Sequence, residues 1–180
     1  MKRSFAIAVV ALVASCDQGP AVTTPLTVQG DSLQPASAIF GSGTRTNPGT
    51  GQSAVFTSIL VTPLADACSQ IPSRGAPPPA LSQTTLVFSI DDIAAGDFLI
   101  RQQLAKGAAS LRMTVYDAGQ LQATNFAGDG SLTVTMASSN EIRLRYSAQF
   151  APNPPGPLMD PQTGTVDATL CQAYSDFLAQ

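Results

Sequence analysis

The sequence predicts an all-β protein, mainly antiparallel, built as a β-sandwich or compact barrel of about eight or nine short strands with one or two short helices. Only 12% of its 180 residues are charged, and it contains 14 glycines and 14 prolines, a composition typical of short strands joined by many turns. Several segments alternate apolar and polar residues with the period of a half-buried strand. These segments do not alternate regularly with helical ones, which is evidence against a parallel βαβ sheet.

The first elements of the predicted domain are short apolar runs. Residues 37–40 predict a first strand, and residues 54–61 (AVFTSILV) predict a central strand because they are apolar on both faces. Thr62 then suits the cap of a helix and Pro63 its first position. We therefore expect a short helix of about two turns here, carrying Cys68.

Four more strands are predicted in the middle of the chain, at residues 84–90, 96–100, 111–116 and 120–126. Three stretches rich in glycine or proline predict loops, at residues 41–52, 71–82 and 151–163. The second of these contains Pro77-Pro78-Pro79, which favours an extended polyproline conformation. That run is either a stiff crossing loop or a recognition ligand for an aromatic groove.

The clearest pattern is a late β-hairpin. Residues 128–130 predict a turn, and residues 131–136 and 141–150 then alternate apolar and polar side chains. The alternation predicts that Leu144 and its apolar neighbours are buried, while Arg143 and Arg145 lie on the solvent face. Residues 164–170 predict a last strand, which ends at a cysteine.

The first sixteen residues have the organisation of a secretory signal peptide that ends at a cysteine. Lys2 and Arg3 form a basic start, residues 5–13 form an apolar run, and small residues lead to Cys16. The apolar run is much shorter than the roughly 20 residues that a membrane-spanning helix needs. The organisation resembles the lipobox of bacterial lipoproteins, which implies diacylglyceryl transfer to Cys16, cleavage before it and acylation of the new amino group. The alternative is an ordinary signal peptide cleaved nearby, with Cys16 an incidental thiol.

These observations divide the chain into three parts. We expect a signal peptide at residues 1–15, a lipidated flexible tether at residues 16–33 and a single β-rich domain at residues 34–180. The expected location is the bacterial cell envelope, with the exported protein lipid-anchored at the periplasmic face of the inner membrane or at the outer membrane. The membrane is then a partner through the lipid on Cys16. Nucleic acid is not an expected partner, because nine basic residues face twelve acidic ones and form no basic stripe.

The remaining cysteines are the next informative residues. Once Cys16 is assigned to lipid, only Cys68 and Cys171 are left, and an oxidising envelope favours a disulfide between them. Two separate buried thiols are the alternative. The chain contains no histidine, which excludes His-based catalytic triads and His-ligated zinc.

Few residues suggest catalysis or metal binding. Asp91, Asp92 and Asp97 surround a predicted turn and form a weak candidate for a Ca²⁺ site, although such residues are also ordinary at a strand end. No cofactor is expected, and no recognisable catalytic motif is present, so a non-enzyme is predicted. A hydrolase that uses two converging carboxylates is the less favoured alternative.

The order of the strand patterns resembles that of a group of uncharacterised predicted bacterial envelope lipoproteins. These also have a lipobox, a cysteine after an early strand, a late hairpin and a C-terminal strand ending in cysteine. The segments that carry the resemblance are residues 37–40, 59–68, 130–135, 143–150 and 164–171. The resemblance supports the envelope location, the pairing of the two cysteines and the β class, and it implies no activity or binding residue.

The sequence therefore predicts a lipid-anchored envelope protein with a non-catalytic interaction or structural domain, whose partner is an envelope protein or a glycan. Arg143 and Arg145 are candidate contacts for an anionic ligand or partner. They are otherwise solubilising residues that face acidic cross-strand neighbours. The alternative function is a carrier that holds a small apolar ligand in a barrel interior lined by Phe88, Phe98, Tyr146 or Phe150.

Overall fold

The computed structural model describes residues 25–46, 53–72, 82–91, 93–151 and 156–179. The strands among them are β1 (Leu26–Val28), β2 (Asp31–Leu33), β3 (Ser37–Thr46), β4 (Ser53–Thr62), β5 (Gln83–Asp91), β6 (Gly96–Ile100), β7 (Ala108–Asp117), β8 (Gln120–Ala137), β9 (Glu141–Phe150) and β10 (Gln162–Leu170). A 3₁₀ helix, Ala67–Gln70, follows β4, and an α-helix, α1 (Gln172–Leu178), follows β10. The predicted all-β class is confirmed. Neither helix in this part of the chain is long and apolar enough to cross a membrane.

Strands β3 to β10 close into a barrel. Their order around it is β10-β3-β4-β5-β7-β6-β8-β9, and β9 pairs with β10 to complete the circle. Most neighbours are antiparallel, whereas β10 with β3 and β6 with β7 are parallel. The junction of β10 and β3 is short, and the Cys171 N–H extends it by donating to the Phe40 carbonyl at 2.9 Å. Closure removes the exposed edges that an open sheet would present.

Side chains fill the interior of this barrel. Phe88 and Tyr146 meet edge to face with ring centroids 5.2 Å apart, and Phe98 packs against the same core. Among the described residues, the largest fully buried side chains are Phe88, Phe150, Leu33, Ile59, Leu86, Ile90, Ile100, Leu111, Met113, Leu132, Ile142 and Leu144. An eight-stranded barrel is just wide enough to be filled in this way. The four aromatic residues predicted to line an internal cavity, Phe88, Phe98, Tyr146 and Phe150, belong to this core or pack against it.

The late hairpin follows the predicted register. β9 pairs antiparallel with both β8 and β10, and Leu144 lies between Val134 and Val166. Leu144 is 2% exposed, whereas Arg143 and Arg145 lie on the exposed face of the same strand. The alternation of the sequence therefore assigned the two faces of β9 correctly.

The predicted start of the domain at residue 34 is wrong, because part of the expected tether belongs to the fold. β1 and β2 form a small hairpin, and Leu26, Val28 and Leu33 are buried in the barrel core. The turn between them is Gln29-Gly30, and both of its residues have positive φ, as a two-residue hairpin turn of type I′ requires. Strands of three residues are too short to show a convincing period of two. The rest of the expected tether, and the predicted signal peptide, lie outside the described residues.

The predicted helix that starts at Thr62 is also wrong. β4 continues through Thr62, and the helical turn that carries Cys68 begins only at Ala67. The Thr62 hydroxyl accepts a hydrogen bond from the Leu64 N–H, and it donates one to the Gln83 side chain on β5. Cross-strand pairing therefore outweighs the capping preference of the Thr-Pro dipeptide.

The turn predicted at residues 128–130 is a bulge within one long strand. β8 runs without interruption from Gln120 to Ala137, and its register with β9 shifts between Ala127 and Asp129. Gly130 has φ +147°, and a Cβ at this position would lie 2.3 Å from the Ser147 carbonyl oxygen. Glycine is required here for both reasons. The first part of β8 pairs with β7, and the part after the bulge pairs with both β6 and β9.

The predicted loop at residues 41–52 is shorter than expected. The β3–β4 ladder continues to the pair Thr46 and Ser53, and residues 47–52 lie outside the described part of the chain. Gly41 lies inside β3, and α1 packs closely against it. A Cβ at this position would come within 2.7 Å of the Ser175 nitrogen, so no larger residue fits there. The glycines that suggested a loop therefore make room for the helix.

Candidate functional site

Helix α1 packs on the outside of the barrel and creates a second apolar cluster there. Its buried members are Ile39, Ala67, Cys171 and Tyr174, and the partly buried Leu60, Cys68, Ile71 and Leu178 pack against them. A disulfide joins Cys68 to Cys171 with their Cα atoms 5.6 Å apart, which confirms the predicted pairing. It ties the 3₁₀ helix to the start of α1.

A groove lies beside this helix on the outer surface of the barrel, and we call it the α1 groove. It encloses about 340 Å³, which is within the usual range for small-molecule sites. Strands β4, β5 and β7 form its floor, the two helices form one wall, and the β7–β8 turn forms the other. Its lining residues are Leu60, Thr62, Leu64, Ala67, Gln70, Ile71, Pro72, Gln83, Thr85, Val87, Arg112, Thr114, Tyr116, Gly119, Leu121, Thr124, Tyr174, Phe177 and Leu178.

Strand register orders the floor of the groove into rows. Leu60 on β4 pairs with Val87 on β5, which pairs in turn with Arg112 on β7. The adjacent row carries hydroxyls, because Thr85 pairs with Thr114 and Thr114 pairs with Thr124. Thr85 and Thr114 are only 4% and 5% exposed, so this row of the floor is largely shielded from solvent.

The helical wall is aromatic. Tyr174 and Phe177 stack with ring centroids 6.4 Å apart, and the Tyr174 hydroxyl lies 2.9 Å from the Ser58 hydroxyl beneath it. Burial raises the pKa of Tyr174, and the hydrogen bond to Ser58 and the positive charge of Arg112 partly oppose this rise. On the opposite wall Leu121 is 59% exposed, and Phe177 is 43% exposed. Apolar surface is thus open to solvent on both sides of the groove.

Arg112 supplies the positive charge of the groove. No carboxylate of the described residues lies within 4 Å of its guanidinium group. The ion pairs between described residues involve Arg101 and Arg143 instead. Its cross-strand neighbours are Val87 and Phe126, both apolar. None of the described residues that line the groove is acidic. The described lining of the groove therefore presents one unneutralised cation beside apolar walls.

Sequence reasoning did not identify this groove. Two signals pointed towards it: residues 54–61 are apolar on both faces, and Arg112, Thr114 and Tyr116 alternate with core residues on β7. A strand that is apolar on its outer face needs a cover, which α1 supplies here. The position of that helix depends on packing that the strand patterns alone do not reveal.

The arginines predicted as contacts lie elsewhere, on the outer face of β9. Arg143 forms an ion pair with Glu141 at 2.6 Å and lies 3.9 Å from an Asp167 oxygen, so it has the acidic neighbours that were considered for it. Arg145 lines a second, more open hollow with hydroxyl-bearing side chains. The other residues that line this hollow are Ser131, Thr133, Tyr146, Ser147, Thr163, Gly164 and Thr165. Neither arginine reaches the α1 groove.

Two of the three candidate calcium ligands accept hydrogen bonds from nearby protein groups. An Asp91 oxygen accepts a hydrogen bond from the Gly107 N–H at 3.0 Å, and an Asp97 oxygen accepts one from the Thr133 hydroxyl at 2.6 Å. Asp92 lies outside the described residues. Within the described ranges, no three side chains of the metal-ligating types gather into a cluster. Cys16 and the predicted lipobox also lie outside these ranges.

Tyr146 gives the domain a testable pH dependence. Burial raises the pKa of Tyr146 from 10.0 to about 12, because the barrel core disfavours the phenolate. Between these two values the unfolded chain loses the proton and the folded chain keeps it, so stability should fall as pH rises from about 10 to 12. A shift of this size corresponds to about 2–3 kcal/mol. Urea denaturation at pH 9 and about pH 12 measures it.

The matched variant is Tyr146→Phe, which keeps the ring and removes the titrating hydroxyl. Its stability should fall less over the same pH range and retain only the part due to Tyr174, whose pKa burial also raises. An unchanged pH slope in Tyr146→Phe would mean that Tyr146 ionises freely in the folded protein.

Comparisons with protein-family models, with curated proteins and with solved structures found no match to this chain.

Proposed function

We propose that this protein is an exported lipoprotein of the bacterial cell envelope, anchored through Cys16, and that its barrel is a non-catalytic binding module. The observation that carries the binding role is the α1 groove, an apolar cleft with one unneutralised arginine on the outside of a filled barrel. The partner is a component of the envelope, and the anchor holds the module at the periplasmic face of the inner membrane or at the outer membrane.

The anchor is supported by the sequence around Cys16. A basic start, a short apolar run and small residues precede the cysteine, as lipidation at that residue requires. The disulfide between Cys68 and Cys171 agrees with export, because such bonds persist in oxidising compartments. Lipid attachment would keep the domain beside a membrane, where amphiphilic ligands are concentrated.

A binding role is better supported than catalysis. The chain has no histidine, and the described lining of the α1 groove offers no carboxylate or thiol for acid–base or nucleophilic chemistry. Its polar groups are hydroxyls, amides and one guanidinium. These groups orient a ligand by hydrogen bonds and charge, as in an ordinary binding site.

The second candidate function is a carrier of a small apolar ligand. One observation favours it, and that observation places the ligand on the outer surface of the barrel instead of in its interior. The barrel interior is filled by packed side chains, whereas the α1 groove is open and partly apolar. A small apolar ligand would therefore bind on the outside of the barrel. A carrier differs from a binding module only in that it transfers its ligand to another molecule.

Substitution of Cys16 tests the proposed anchor. Cys16→Ser should abolish lipid attachment, because serine lacks the thiol to which the diacylglyceryl group is transferred. The unlipidated protein should then be released or remain trapped as the uncleaved precursor. Intact mass of the wild-type protein should show a lipidated amino-terminal cysteine, and the variant should lack that added mass.

The control is Ser15→Ala, which keeps a small residue before the cysteine and should be lipidated normally. An unmodified amino terminus away from Cys16 in the wild-type protein would overturn the lipoprotein proposal. It would leave the binding role of the domain to be judged separately.

A further inference from the structure

We propose that the α1 groove binds a medium-chain fatty acid, with its carboxylate on Arg112 and its chain along the apolar walls. The inference rests on the proposed function of the domain as a binding module and specifies the ligand of that module. It depends on three features of the groove: its apolar lining, its single charge and its size.

The walls suit an unbranched apolar chain. Leu60 and Val87 lie side by side on the floor, and Phe177 and Leu121 stand exposed on opposite sides. Seven groove residues carry sizeable apolar side chains besides the tyrosines, namely Leu60, Leu64, Ile71, Val87, Leu121, Phe177 and Leu178. An acyl chain that covers them removes apolar surface from water, which is the main driving force for binding.

Arg112 determines the charge of the ligand. Its guanidinium has no carboxylate of the described residues within 4 Å, and none of the lining residues in this part of the chain is acidic. A guanidinium binds a carboxylate with two parallel charge-assisted hydrogen bonds. Thr114 lies two residues further along the same face of β7, and its hydroxyl adds a polar contact beside the head group. The complementary ligand therefore carries one anionic head.

The volume suits a ligand with a single chain. About 340 Å³ is at the small end of the roughly 300–1,000 Å³ typical of ligand pockets. A diacyl phospholipid carries two long chains and exceeds this space. A free fatty acid combines one chain with one carboxylate, and membranes next to the anchored domain supply it.

The first experiment compares three probes that share one chain and differ in the head group: decanoate, decanol and decylamine. The protein is the full chain carrying Cys16→Ser, purified without detergent, and binding is followed by calorimetry. Decanoate should bind about ten- to a hundred-fold more tightly than decanol, the effect expected of a hydrogen bond to a charged group. Decylamine should bind more weakly than decanol, because its charge repels Arg112.

The second experiment uses variants with matched controls. Arg112→Gln should weaken decanoate binding about ten-fold or more and remove the preference for decanoate over decanol. Arg145→Gln is the control, since Arg145 is also exposed on the outer barrel but lies outside the groove. Leu121→Gln should weaken all three probes a few-fold. Leu99→Gln, at a residue 56% exposed compared with 59% for Leu121, should weaken none.

Several results would overturn the proposal. One is equal binding of decanoate and decylamine, another is equal weakening by Arg112→Gln and Arg145→Gln, and a third is no saturable binding of decanoate. Binding of an apolar peptide with a free carboxylate, without binding of decanoate, would assign the groove to a peptide instead. All these measurements use unlipidated protein, so they fail or succeed independently of the test for lipid on Cys16.

Discussion

Replacing Cys68 and Cys171 together with alanine should lower the free energy of unfolding by about 3–5 kcal/mol. The bond joins residues 103 apart in sequence, so its loss frees a long segment of the unfolded chain. In the chain-entropy description a loop of about 100 residues is worth about 4.7 kcal/mol, and native-state effects reduce the measured value. This is one of the largest effects expected from any change to the described domain.

The loss should be concentrated around α1. The disulfide holds the start of α1 against the 3₁₀ helix. Among the described residues, a small apolar cluster and a few hydrogen bonds hold the rest of the helix. One of these bonds runs from the Ser42 N–H to the Ser175 hydroxyl at 3.1 Å. Without the disulfide, the helix should open locally before the barrel unfolds. The wall of the α1 groove would then be lost first.

Urea denaturation without reductant measures the global effect, and hydrogen exchange measures the local one. Cys16→Ser is the matched control, since it removes a cysteine and leaves the disulfide intact, so its midpoint should not change. Added reductant should destabilise the wild-type domain and leave the double alanine variant unaffected. A double variant as stable as the wild type, with unchanged exchange in α1, would contradict the structural role given to this bond.

The pairing of these cysteines was predictable from the sequence because few alternatives existed. Only three cysteines occur, and the predicted lipobox claims Cys16. The faces of β9 were predictable for a related reason. Its alternation continues without a break for ten residues, and a one-residue slip would place every arginine of the strand in the core.

The β1–β2 hairpin and the strand order were not predictable in the same way. Each strand of that hairpin is three residues long, so its sequence shows no clear alternation. Its place in the fold is evident only from the burial of its apolar side chains in the barrel core. β6 lies between β7 and β8 in the barrel although β8 also pairs directly with β7. That arrangement depends on the long bent path of β8, which the bulge near Gly130 makes possible. The position of such a bulge depends on contacts between strands that are distant in sequence, so a local sequence pattern does not reveal it.

The α1 groove was not predictable because its residues come from four strands and two helices. Each strand pattern indicates which side chains point outward. It does not indicate that Val87 of β5 lies beside Arg112 of β7, or that Tyr174 lies over Ser58. These neighbours follow from strand register and from the docking of α1. Sequence reasoning instead selected Arg143 and Arg145, the most conspicuous charges on a well-predicted strand.

Truncation of Leu144 should produce the second large loss of stability. Leu144→Ala should lower the free energy of unfolding by about 2–5 kcal/mol, since it removes buried apolar surface and leaves a cavity in a filled core. The side chain is 2% exposed and lies between Val134 on β8 and Val166 on β10. Strands on both sides are hydrogen-bonded into a closed barrel, so the surrounding backbone has little freedom to collapse into the space.

The neighbouring Arg145→Ala is the matched control, because it changes the opposite face of the same strand. Arg145 has no carboxylate of the described residues within 4 Å, so its loss should change stability by only about 0.5 kcal/mol or less. Urea titrations of the two variants under identical conditions separate the two faces of β9. Equal losses, or a larger loss from the arginine, would show that the register of β9 is wrong. A stable Arg145→Ala protein that no longer binds an envelope component would instead make the hydroxyl-lined hollow on β9 a second binding site.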